Sequence, residues 1–276
     1  MYAINDPVPG TRVAAPVLSA VQNASARSGI DFNYLFDVAR VESAYNPTAK
    51  AATSSARGLF QFTRQTWLAT LRKHGADHGM AWAADAIGRD ASGRLSIADP
   101  ALRQQILDLR DDPAASSSMA AALTADNRDH LESRIGRAAE PVDLYLAHFL
   151  GSGGAVEFLS AMAANPDQPG ATMMPEAAAA NRSVFYAPDG SMRSLADIRE
   201  RFRVKLEDGG KAENIKIVPS AGWQMASSSS ASSAPGAGPG RPPLPMMDIQ
   251  PMPRKLSMGF AADAYRRLAN LSGGAA

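Results

Sequence analysis

Residues 31–47 read DFNYLFDVARVESAYNP, and this stretch decides the fold class. Leu35, Val38, Ala39 and Glu42 stand at i, i+3, i+4 and i+7, the spacing of one helical face. Asp31 before the run predicts an N-cap, and Asn46-Pro47 predicts its end. The last member of the apolar stripe is an acid, placed in the final turn, where the helix dipole disfavours negative charge. Desolvation acts in the same direction, so the expectation is a raised Glu42 pKa. A carboxyl kept protonated near neutral pH is what a general acid requires. From the helix alone, a glutamate that snorkels to water or caps a backbone amide is the more common reading.

Working outward, the neighbouring segments are also helical. Pro16 suits a first turn, Val17, Val21 and Ala24 recur at i, i+4 and i+7, and Gly29 predicts the stop. Thr63 predicts a cap for a helix over 65–74, and further helices are expected at 99–110, 116–132 and 141–150. No β-alternation stands out before residue 180. Within 182–206, Asp189-Gly190 is a turn signal, and Ser194 with Asp197 resembles a capping box. Leu195, Ile198 and Phe202 then give i, i+3 and i+7, a final helix expected to pack onto the main domain.

The chain of 276 residues can bury a sizeable core in one or two domains. Residues 1–15 read as a loose tail, 16–206 as a helical domain, 207–253 as a Ser/Pro/Gly-rich linker expected to be disordered, and 254–276 as a short amphipathic helix. That last helix carries Phe260, Ala264, Leu268 and Leu271 on one face and needs something to dock on. A net charge of +1 offers no electrostatic case for nucleic acid or an anionic membrane. Without cysteine there are no disulfides, thiolate metal sites or cysteine nucleophiles. No apolar run approaches the roughly 18 residues of a membrane span. The opening MYAINDPVPGTRV has no basic segment followed by an apolar one, so a conventional signal peptide is not expected.

Glu42-Ser43 is followed by Asn46-Pro47 and Ala49, and then by Gly58, Leu59, Phe60 and Gln61. This order and spacing resembles the soluble lytic transglycosylases, in which a Glu-Ser pair and a downstream Gly-Leu-aromatic/Met-Gln segment bracket the active site. A third family element, Ala-Tyr-Asn-x-Gly, has its nearest counterpart at 147–151. There Ala147 and Gly151 match, while His148 stands for the tyrosine and Phe149 for the asparagine. The resemblance implies a lysozyme-like helical domain acting on peptidoglycan glycan strands. Glu42 would protonate the oxygen between N-acetylmuramic acid and N-acetylglucosamine, then take the proton of the muramic 6-hydroxyl as it closes a 1,6-anhydro ring. No cofactor is implied. Ordinary glycosidases use two carboxylates. Asp37 lies five residues from Glu42 and so off its face, and Asp31 is the expected cap, which leaves one acid in the matching segments.

Ser43 would contact the glutamate or an acetamido group, or be a plain hydroxyl at a helix C-terminus. Gln61 would place its amide in the sugar groove, and Gly58 would permit a close turn there. Phe60 and Phe62 fit core packing or a sugar platform. Tyr145 and His148 are further sugar-site candidates, and the Tyr145 hydroxyl could orient Glu42. His74 and His78 have metal-like spacing, but Gly75 follows His74 where a zinc-protease motif needs glutamate, and no metal site is expected. Gly151-Ser-Gly-Gly154 reads as a helix C-cap or a tight turn between helices. Two other readings stay open: a water-using muramidase with the same Glu42, and a non-catalytic interaction protein with this fold. The substrate places the chain in the periplasm or cell envelope. Reaching it without a signal peptide implies a specialised export system or a phage origin, with a flagellar or secretion-apparatus protein as a partner for residues 254–276.

Overall fold

The computed structural model describes residues 13–207. The expected linker and terminal helix (208–276) and most of the N-terminal tail lie outside them. The helices are α1 (Ala15–Ser28), α2 (Phe32–Ser43), α3 (Arg64–His74), α4 (Ala81–Asp85), α5 (Pro100–Asp108), α6 (Pro113–Ile135), α7 (Pro141–Ala164), α8 (Gly170–Met173), α9 (Pro175–Ala180), α10 (Arg182–Phe185) and α11 (Leu195–Glu207). Single 3-10 turns at Ala76–His78 and Leu109–Asp111 join α3 to α4 and α5 to α6. The described domain is mainly α, as the periodicity predicts.

The helix starts follow from local chemistry. Asp31, Thr63, Asp99 and Asp112 each accept hydrogen bonds from the first free amides of α2, α3, α5 and α6. Caps of this type contribute about 1 kcal/mol each. Gly29 closes α1 in the left-handed conformation, and Ser194 with Asp197 forms the reciprocal cap of α11. α2 stops at Ser43, three residues before Asn46. Ala44 and Tyr45 then take positive φ of 51° and 63° and turn the chain back toward the next loop.

Two features qualify the reading. At the Gly151-Ser-Gly-Gly154 run the expected tight turn between helical segments is present: Gly151 leaves helical geometry (φ 76°, ψ 159°), ending the segment expected over 141–150, and a second segment runs on to Ala164. Glycine supplies the left-handed residue at little steric cost, and the apolar residues beyond it, Ala155, Phe158 and Leu159, have a core face to bury. Second, a small antiparallel pair, β1 (Gly88–Arg89) and β2 (Leu95–Ser96), precedes α5. Each strand has two residues, too few to leave an alternating pattern. Its turn is held by Asp90, which accepts from the backbone of Ser92 and Arg94.

α6 is the central element, packed against α1, α3 and α7 and touching α2. Its buried face is built from small residues, including Ser116, Ser117, Ala120 and Ala121, so neighbouring helices can come close. α7 in turn packs on α11, and α11 on α2, which closes a ring of helices. Trp67 is fully buried near the middle, its indole donating to the Ile106 carbonyl at 2.9 Å and its ring edge-on to Phe62. Tyr145, Phe149 and Phe202 interlock between α7 and α11. Asp143, wholly buried near the start of α7, is held by Arg137 and by Arg199 of α11. α11 is thereby fixed by charge at its first half and by aromatic packing at its second.

Candidate active site

Glu42 is the penultimate residue of α2, with 12% of its side chain exposed. Two groups of α7, one helical turn apart, converge on the same carboxylate oxygen. The Tyr145 hydroxyl donates to Oε1 at 3.0 Å, and His148 Nε2 lies 3.2 Å from it. Their rings stack nearly parallel, with centroids 5.5 Å apart. Lys205 of α11 donates to the Tyr145 hydroxyl at 3.3 Å. The i, i+3 spacing of Tyr145 and His148 puts both rings on one face of α7, and the fold turns that face onto the end of α2.

These partners reverse one expectation. Burial does push the Glu42 carboxyl up, as its place on the apolar stripe implies. The His148 imidazole beside it, the Lys205 ammonium and the Tyr145 hydroxyl outweigh burial and hold the carboxyl below its ordinary value. Periodicity along α2 is blind to basic groups more than a hundred residues away. Tyr145 moves the opposite way: burial and the neighbouring Glu42 charge raise its hydroxyl pKa, so it stays a neutral donor. Burial lowers the Lys205 ammonium, against the pull of Glu42.

A narrow cleft open to solvent is lined by His148, Gln61, Thr63 and Asn127 of α6. Its walls are Tyr34, Leu35 and Val38 of α2, the loop segment Phe60–Thr63, and Ala120, Leu123 and Thr124 of α6. Among the described residues lining it there is no aspartate or glutamate. Glu42 is not itself a lining residue; it lies 3.2 Å from His148, which is.

The remaining candidates take varied places. Phe60 contributes to the cleft wall but is 3% exposed, so most of its ring is core. Gln61 also lines the cleft, in the left-handed region at φ 48°; its amide nitrogen donates to the carbonyls of Gly58 and Ala49 at 2.9 and 3.2 Å. Gly58 lies against the Arg110 backbone. Ser43 does not reach Glu42: its hydroxyl sits 2.9 Å from the Ala39 carbonyl and 2.8 Å from that of Leu59, joining the end of α2 to the Gly58–Gln61 loop. Ser43→Ala should therefore lower stability by about 1 kcal/mol, read as a shift in denaturant midpoint, with KM for glycan strands unchanged. A raised KM at unchanged stability would restore a substrate role. His74 pairs with Asp126, which also binds Lys73.

Sequence reading missed Lys205, Tyr34, Thr124 and Asn127. Lys205 lies on a helix read only for its apolar face. The α6 residues sit in an Ala/Ser-rich run with no motif, so no local signal marked them.

Residues 19–81 match the family model described as Transglycosylase SLT domain. The matched segment, under a quarter of the chain, is similar to a family of lytic transglycosylases that cleave peptidoglycan. The match spans α1 to the start of α4 and includes Glu42, Ser43 and the Gly58–Gln61 loop. Tyr145, His148 and Lys205 lie beyond it, supplied by α7 and α11. No helix among the described residues is long and apolar enough to cross a membrane.

Proposed function

We propose that the protein is a peptidoglycan lytic transglycosylase in which Glu42 acts first as acid and then as base. The glutamate protonates the oxygen between N-acetylmuramic acid and N-acetylglucosamine as the anomeric C–O bond breaks. Its carboxylate then takes the proton of the muramic 6-hydroxyl as that oxygen bonds to the anomeric carbon, giving a 1,6-anhydro end. The observation that carries this reading is the isolation of Glu42: a buried carboxyl beside the cleft, fixed by two donors on Oε1, with no second acid among the described cleft residues. Glycosidases with two catalytic carboxylates need the second one within about 5–10 Å. A sugar that supplies its own nucleophile needs only one. Thr63, Thr66, Thr124 and Asn127 offer hydroxyl and amide groups suited to acetamido and hydroxyl substituents.

Digestion of purified sacculi followed by mass spectrometry of the muropeptides tests this. Anhydro-muramic ends are the expected product. Reducing ends would make the enzyme a muramidase that uses water at the same glutamate.

For its setting, the reading is local wall opening for a machine that crosses the envelope. Residues 254–276 would dock on a flagellar or secretion-apparatus protein, and residues 207–253 would let the domain reach the wall. Deleting 254–276 should abolish localisation and spare activity on isolated sacculi. Loss of both would overturn the modular arrangement.

A further inference from the structure

We propose that His148 and Glu42 act as one acid unit, sharing the single proton that the reaction delivers and recovers. This rests on the reading of Glu42 as the acid and gives it a source of protons.

The geometry places the two groups within ion-pair distance. His148 Nε2 lies 3.2 Å from Glu42 Oε1, and the two side chains are 17% and 12% exposed. Stacking on Tyr145 fixes the imidazole plane, so the nitrogen cannot readily turn away. His148 also lines the cleft, which puts the pair at the substrate's edge. The other titratable and charged groups around the pair are Tyr145 on α7, Tyr34 and Arg40 on α2, and Lys205 on α11. The α6 wall contributes Thr124 and Asn127, which do not titrate.

The His148 charge is the foremost cause holding the Glu42 carboxyl below its ordinary value, so the proton that the carboxyl lacks is held by its neighbour at contact distance. Ordinary carboxyl and imidazole pKa values differ by about two units, so in water roughly one pair in a hundred would carry that proton on the carboxyl. Burial favours the uncharged arrangement and enlarges that share. Such coupled groups titrate as a unit. The balance closes: the pair gives its proton to the glycosidic oxygen as the C–O bond breaks, and receives the 6-hydroxyl proton as the new C–O bond forms. His148 acts through Glu42 and is a positioning residue in this scheme.

The test is the pH profile of kcat/KM on purified glycan strands for the wild type, His148→Gln and His148→Tyr. Both variants keep a donor near Oε1, and neither carries a proton that titrates near neutrality. The alkaline limb should move about one to two units toward acid, so the activity loss is at least about tenfold larger at pH 7.5 than at pH 5. Loss by one factor at every pH, or a limb left in place, overturns the proposal. If both variants fail to fold, nitrogen-15 NMR of the wild type and Glu42→Gln decides: the His148 titration should move when Glu42 is neutralised, and an unmoved one overturns it. An active Glu42→Gln would remove the functional reading itself. An inactive Glu42→Gln with an unmoved His148→Gln limb would remove only the shared proton.

Discussion

Glu42→Gln is expected to lower the turnover of purified sacculi by about a hundred- to ten-thousand-fold, the range contributed by a positioned acid/base. The substitution is nearly isosteric. The amide oxygen can still accept from Tyr145, and α2 keeps its packing, since Leu35, Val38 and Ala39 carry the buried face. Loss of activity would then be loss of the proton rather than of the fold. Muropeptide release by the variant at the wild-type rate would sink the catalytic assignment and leave an interaction protein with this fold. A second consequence follows from the depressed carboxyl pKa. Its charge favours the folded state; that contribution is fully present above the unfolded value, about 4.3, and is lost as pH falls through the lower folded value. Wild type should therefore lose more stability between about pH 6 and pH 3 than Glu42→Gln does. Equal acid sensitivity of the two melts would contradict the depressed value.

The largest stability effect is expected at Gly58. Its φ is +86°, and a Cβ added there would lie 1.9 Å from the Arg110 carbonyl oxygen and 2.8 Å from its carbon. Neither backbone can withdraw freely. The Gly58 amide donates to the Ala49 carbonyl at 2.8 Å. Arg110, 5% exposed, donates through its guanidinium to Ser55 at 2.8 Å and Phe62 at 3.1 Å, on both sides of the same loop. Gly58→Ala should destabilise the domain by about 3–5 kcal/mol, lowering Tm by about 10 °C, and loosen the loop that carries Gln61. Gly190→Ala is the matched control. Its φ is also +86°, yet nothing lies within 4 Å of the added carbon, so it isolates the backbone strain of about 1–2 kcal/mol. Equal Tm shifts in the two variants would show that contact with Arg110 contributes nothing.

The helical class, the caps at Asp31, Thr63 and Ser194, and the turn at Asp189-Gly190 were legible because each depends on residues a few positions apart. The limits of local reading appear at Ser43 and Gly151. A hydroxyl at a helix C-terminus reads the same whether it faces a sugar or the Leu59 carbonyl. The glycine run was legible as a turn, while the helical segment beyond it, to Ala164, depends on the buried faces of Phe158 and Leu159.

By itself the sequence determined the helix that bears Glu42, the placement of that residue on its apolar face, and the loop motif that answers it. Only the tertiary structure decided what surrounds the carboxyl. Local spacing fixes which face a side chain shares. Charge state depends on neighbours across space, and those neighbours come from α7 and α11, more than a hundred residues along the chain. They bring a histidine, a tyrosine and a lysine to a carboxyl whose pKa burial alone would have raised.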